Sequence, residues 1–134
     1  MEEPIADILR GVLDGHIVLD RSIAERGRYP AVDVLQSVSR SLPAAASDKE
    51  NAMLSEARRM LGLYERNAVM VRAGLYAQGI DPELDQAVTL WPDLDNFIGQ
   101  DAPQECAQSF QQLNLILRRA RATRPQSARQ GRAP

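Results

Sequence analysis

Between Ser47 and Arg72 the sequence sets apolar residues at Leu54, Ala57, Leu61, Tyr64, Ala68 and Val71, in alternating steps of three and four. An α-helix gathers that spacing into one stripe, so the middle of the chain is predicted to be a long amphipathic helix, with Arg58, Arg59, Glu65, Arg66 and Arg72 mostly off its buried face. Ser47-Asp48-Lys49-Glu50 is a capping-box pattern that starts it: the Ser47 side chain accepts from the Glu50 amide while Glu50 reaches back to the Ser47 amide. Gly74 and Gly79 weaken its far end. Asp81-Pro82 starts a second helix, with Asp as cap and Pro at the first helical position, expected to run to about Trp91 before Pro92 interrupts it. A brief helical piece through Leu94, Phe97 and Ile98 closes at Gly99, and a last helix over about 103–120 buries Phe110, Leu113, Ile116 and Leu117.

The chain before this region has a different pattern. Ile17 to Leu19 is a short apolar run opened by Asp14-Gly15, and Ala31, Val32, Val34, Leu35 and Val38 form a second run after Tyr29-Pro30. Asp20 to Arg28 between them is short and charged, so the pattern is strand, helix, strand, and a crossover of this length predicts parallel strands of an α/β sheet. Two strands do not close a core, which marks residues 1–42 as a fragment of a larger domain joined by residues 43–47 to a helical unit over 48–118.

No window approaches the roughly 18 unbroken apolar residues of a membrane helix, and Pro4 to Leu9 has neither the basic start nor the apolar run of a secretion signal, so a soluble cytoplasmic protein is expected. Cys106 is the only cysteine, which rules out an internal disulfide and, with a single His, leaves no zinc-ligand cluster and no metal site. Arg118, Arg119, Arg121, Arg124, Arg129 and Arg132 crowd the end of a chain whose body is acidic. Having neither aromatics for stacking nor an apolar face, residues 119–134 are expected to be a disordered basic tail that takes no nucleic-acid partner.

Several blocks occur together in one order: Leu13-Asp14-Gly15-His16-Ile17-Val18-Leu19, then Ala24-Glu25-Arg26-Gly27-Arg28-Tyr29-Pro30-Ala31-Val32-Asp33-Val34, then Ser37-Val38-Ser39-Arg40. Ala73-Gly74-Leu75-Tyr76, Asp81-Pro82-Glu83-Leu84-Asp85 and Ala87-Val88-Thr89-Leu90-Trp91-Pro92 follow. Over about residues 4–117 the chain resembles the C-terminal part of flagellar and type III protein-export ATPases, relatives of the catalytic subunits of rotary ATP synthases, and looks more like the flagellar branch. The resemblance implies an α+β fragment: the end of a RecA-like α/β nucleotide-binding domain, two strands and a helix, followed by an all-α C-terminal helical domain. Glu3-Pro4-Ile5-Ala6-Asp7 resembles an internal segment of that family.

The resemblance also implies roles. Tyr29, in its Tyr-Pro pair, would present its ring to adenine, a contact between flat π systems. Arg40, at the end of Ser-Val-Ser-Arg, would be the arginine finger that reaches across a subunit boundary to a neighbour's γ-phosphate. ATP and Mg2+ are the implied cofactors of the full-length assembly, and none is expected to bind tightly to this chain alone. Its implied partners are five further copies in a hexamer, stalk, regulator and export-chaperone proteins, and an export gate at the inner membrane. Asp81, Glu83 and Asp85 would offer negative charge to a basic stalk protein. His16 has no Ser or Cys nucleophile in a matched pattern and is not assigned to catalysis. Asp101-Ala102-Pro103 stands where relatives often place an aromatic or apolar second wall for adenine. The pattern Gly-x-x-x-x-Gly-Lys-Ser/Thr occurs nowhere, so this chain alone is expected to be inactive. The alternative is a catalytically inactive interaction module that binds a stalk or regulator protein through its helices.

Overall fold

The computed structural model describes residues 4–102 and 105–123. The described elements are α1 (Pro4–Val12), β1 (Gly15–Leu19), α2 (Arg21–Glu25), β2 (Val32–Ser39), α3 (Asp48–Arg72), α4 (Pro82–Gly99) and α5 (Cys106–Ala122). No helix among the described residues is long and apolar enough to cross a membrane.

The long helix forms as its cap and stripe dictate. Ser47 Oγ accepts from the Glu50 amide at 3.3 Å and the Glu50 carboxylate accepts from the Ser47 amide at 2.7 Å, so the capping box is complete. Its most buried residue, however, is Met60, outside the predicted stripe. The face that meets the other helices runs Ala57, Met60, Tyr64, Ala68, with Leu54, Leu61 and Val71 along its margin. Ala87, Leu90 and Leu94 of α4 and Leu113, Leu117 and Ala120 of α5 complete a three-helix core.

Pro92 does not interrupt α4, which continues from Pro82 to Gly99 as one helix. An interior proline costs about 3 kcal/mol through a lost hydrogen bond and a clash. Leu90 and Leu94, on either side of it, are 1% and 2% exposed, and each buried leucine stabilises by roughly 1.5–3 kcal/mol, enough to outweigh the break. Pro92 itself faces solvent. Helix α5 starts at Cys106, and 103 and 104 fall outside the described residues. It runs to Ala122, close to the expected end near 120, with Ala120 buried and Arg121 paired with Glu56 of α3, its Nε donating at 3.0 Å. The part of the expected basic tail from 124 onward lies outside the described residues.

The strands pair antiparallel, not parallel as the crossover length suggested. The connector holds only the five-residue α2, capped by Asp20, whose side chain accepts from the Ser22 amide. Gly27 then takes φ 78°, a left-handed conformation that turns the chain back. The Asp20 amide donates to the Ala31 carbonyl at 2.9 Å and closes the hairpin at this end. At the other end the Arg40 amide donates to the Asp14 carbonyl at 2.7 Å. The ladder pairs Gly15 with Ser39 and His16 with Val38, then Val18 with Asp33 and Leu19 with Val32, so residues 34–37 of β2 bulge out opposite Ile17.

Polar side chains hold that bulge. Asp33 accepts from the amides of Leu35 and Gln36 at 3.0 and 3.1 Å. Ser37 Oγ accepts from the Val18 amide and donates to the Asp33 carbonyl. Arg58 on α3 donates to the carbonyls of Val34 and Leu35 at 2.7 and 3.1 Å, which docks the bulge on the long helix. Among the described residues the first half contributes one buried apolar side chain, Ile23, while Ile5, Ile8 and Val12 of α1 and Ile17 and Leu19 of β1 stay exposed. The core therefore lies in the helical half.

Candidate functional site

Tyr29 and Arg40 lie beyond opposite ends of the β1–β2 ladder. From Gly15 to Leu19 that ladder makes four steps, about 14 Å at strand rise, which separates its two closing pairs. The Tyr29 ring is 65% exposed and borders an open cleft of about 480 Å3 lined also by Gly27, Trp91, Pro92, Asn96 and Gly99. A second wall for a flat ligand is thus available from α4. Asp101 and Ala102 do not line this cleft, and Pro103 lies outside the described residues.

The loop before Tyr29 is fastened to α4. Arg28 donates to the carbonyls of Pro30 and Val32 at 2.9 and 3.0 Å, wrapping the Tyr29-Pro30 turn. Its Nε lies 3.0 Å from Asp95, an ion-pair contact without the alignment of a hydrogen bond. Arg26 donates both terminal nitrogens to the same carboxylate at 3.2 and 3.4 Å, and its guanidinium sits 5.3 Å from the Trp91 ring centroid. A cavity of about 110 Å3 lies behind this clasp, between α2, β2, α3 and α4. Glu65 lines it, and burial, followed by the charges of Asp33 and Asp20, raises its carboxyl above the usual range, against the opposing charge of Arg26.

Arg40 leaves the other end of β2 with its side chain at the C-terminus of α1. One terminal nitrogen donates to the carbonyls of Arg10 and Gly11 at 3.3 and 3.4 Å, long bonds to groups whose dipole favours a cation. His16 is a ladder residue opposite Val38.

The three acids of the α3–α4 hairpin have distinct surroundings. Asp81 caps α4, accepting from the amides of Glu83 and Leu84. Glu83 is exposed and pairs with Arg59 of α3 at 3.2 Å. Asp85 is 6% exposed and points inward, accepting from the Tyr76 hydroxyl and from the Gly79 amide at 2.9 Å. Its carboxylate is engaged inside the hairpin, whereas Asp81 and Glu83 face outward. Leu75 and Ile80, 74% and 82% exposed at the same tip, carry no periodic signal that marks them in the sequence. Asp95 and Arg28 likewise escape sequence reasoning, because nothing local says that two charges 67 positions apart in the chain meet.

A bulged strand pair, with an exposed tyrosine beyond one end and an arginine beyond the other, is followed by a three-helix domain. Residues 46–115 match the family model of the T3SS EscN ATPase C-terminal domain, and residues 1–39 match the nucleotide-binding domain of the ATP synthase alpha/beta family. The flagellum-specific ATP synthase of Caulobacter vibrioides is 43% identical over 117 residues, 86% of this chain and 26% of that protein. The assembled ATPase EscN of the enteropathogenic E. coli type III secretion system superposes with a TM-score of 0.81 at 30% identity, over 87% of this chain and 29% of that one. A second structure, of assembled EscN in complex with its central stalk EscO, gives 0.77 at 31% identity, over 86% and 29%. The chain belongs to the family of flagellar and type III secretion ATPases and corresponds to their C-terminal part. It spans about a quarter of the length of the curated relative above.

Proposed function

We propose that the chain is the part of a hexameric flagellar export ATPase that gives an adenine-facing tyrosine to its own subunit's nucleotide site and an arginine finger to a neighbour's. The placement of Tyr29 and Arg40 at the two ends of one hairpin carries this reading, since groups so separated suit two different sites. Tyr29 offers an exposed ring beside a cleft open enough for a flat base. Among the described residues the Arg40 guanidinium is held by long bonds to exposed backbone carbonyls, which leave it able to swing outward to equatorial phosphate oxygens. Bound Mg2+ and ATP would supply the phosphoryl group that is transferred. Among the described residues no three His, Cys, Asp or Glu side chains converge as a cation site. The apolar faces of α1 and β1 are of the kind that the remainder of a nucleotide-binding domain covers.

In this reading ATP hydrolysis by the ring drives export of flagellar subunits. The ring works in the cytoplasm, against the inner-membrane export gate, with stalk, regulator and chaperone proteins as partners. The test is Arg40→Ala in the assembled ring that carries these residues. The expected loss in kcat is on the order of 10³–10⁵, with nucleotide binding by single subunits unchanged. An unaltered kcat would remove the finger assignment. The 134-residue chain by itself is expected to hydrolyse no ATP.

A second reading, an inactive interaction module, is favoured by the exposed Leu75 and Ile80 beside the outward-facing Asp81 and Glu83. Acids around a small apolar tip suit a basic helical partner. Replacing Leu75 and Ile80 together by Asp should abolish capture of a basic coiled-coil stalk protein, and capture at undiminished affinity would exclude this surface.

A further inference from the structure

We propose that Asp95 is a positioning residue for the adenine-facing loop: through Arg28 it sets the height of Tyr29 above the cleft, so that helix α4 controls how well the site receives an adenine base. The proposal rests on the reading of Tyr29 given above. Arg28 adjoins Tyr29, and its guanidinium is bonded at once to the carbonyls of Pro30 and Val32, which follow Tyr29 in the chain. A planar fork with five donors can hold two carbonyls and still face a carboxylate, which an ammonium on a lysine stem cannot.

The carboxylate it faces belongs to the other structural half. The Asp95 side chain is 21% exposed and that of Arg28 10%, so the pair is largely shielded from water and held more firmly than a surface pair. Arg26, which takes the same carboxylate from the outer side, is itself laid over Trp91. Gly99, one helical turn beyond Asp95, lets the α4 backbone approach closely. A Cβ there would lie 3.1 Å from Arg28 Cγ and 3.6 Å from the Tyr29 carbonyl. The turn that carries Tyr29 therefore rests on α4 through two contacts, one ionic at Asp95 and one steric at Gly99. Displacing α4 would carry Arg28, and with it the Tyr29 ring, relative to the hairpin.

The test uses the 134-residue chain with ADP at millimolar concentration and saturation-transfer NMR read on the adenine H2 and H8 protons. Wild type should transfer saturation to both, and Tyr29→Ala should abolish it. Asp95→Asn, which keeps the shape and removes the charge, and Arg28→Lys should each weaken apparent ADP affinity on the order of threefold to tenfold. Asp95→Glu should recover part of the loss. Arg121→Ala, which breaks a remote and more exposed ion pair with Glu56, should leave transfer unchanged and so separates positioning from general loosening. Circular dichroism confirms that each variant is folded, and amide exchange of residues 28–33 without ADP should quicken in Asp95→Asn. If Asp95→Asn binds ADP as wild type does while Tyr29→Ala does not, the positioning role is overturned and the Tyr29 reading stands. Equal weakening in Asp95→Glu also overturns it. If wild type shows no transfer, or Tyr29→Ala transfers equally, the Tyr29 reading fails and this proposal goes with it.

Discussion

Tyr64 of α3 stacks on Trp91 of α4, ring centroids 4.6 Å apart and planes 18° from parallel. The pair lies where the helical core meets the Arg26 side of the hairpin, because Arg26 covers the same indole. Tyr64→Leu keeps most of the apolar volume and removes the ring contact, worth about 0.5–1.5 kcal/mol beyond area burial. Urea unfolding followed by the single tryptophan should show that loss, together with an altered emission of the folded state. An unchanged midpoint would mean that the stack adds nothing to packing.

Leu117 is 1% exposed in the three-helix core and Leu115, two positions earlier on α5, is 54% exposed. Leu117→Ala should lower stability by about 2–5 kcal/mol and Leu115→Ala by no more than roughly 0.5 kcal/mol. Similar losses from both would show that the exposed side of α5 is covered in solution.

The capping box makes a smaller and more local prediction. Ser47→Ala removes the acceptor for the Glu50 amide and should destabilise by about 1 kcal/mol, while Ser47→Asp should be close to neutral. Thermal melts suffice, and an equal loss in Ser47→Asp would point to packing rather than to the cap.

Tyr76 gives a pH dependence with a defined sign. Burial first, and then its hydrogen bond to Asp85 and the charge of that carboxylate, push its hydroxyl up from 10.0 to about 12. The folded protein therefore keeps a proton that the unfolded chain releases near pH 10. Stability from this group is complete below about pH 10 and is lost as pH rises through about 12. In an absorbance titration of the three tyrosines Tyr76 should ionise late. Asp85→Asn should bring it down without reaching the ordinary value, since burial is the larger cause, and no change would deny the hydrogen bond its role.

Patterns with the period of the helix turn, or confined to neighbours in sequence, were enough to establish much of the molecule. The Ser47 capping box, the Asp81-Pro82 helix start and the apolar steps of α3 are local, and each depends on backbone geometry that the chain cannot avoid. The ordered blocks around Tyr29 and Arg40 pointed to the family in the same way. The direction of β1 against β2 was a different matter, because a twelve-residue connector permits either sense and only the Gly27 turn with the Asp20–Ala31 bond settles it. Pro92 reads as a stop until Leu90 and Leu94 are seen to be buried on both sides of it. Asp85, indistinguishable from Asp81 and Glu83 as a letter, turns inward because Tyr76 and Gly79 offer it donors there. Arg28 and Asp95 meet only once α4 is packed against the hairpin. The sequence by itself determined where α3 and α4 start and which family the chain belongs to, since those follow from patterns among near neighbours, whereas α1 carried no such signal. Strand sense, the fate of each acid and the clasp behind Tyr29 were decided by tertiary structure, since each depends on contacts between residues that only packing brings together.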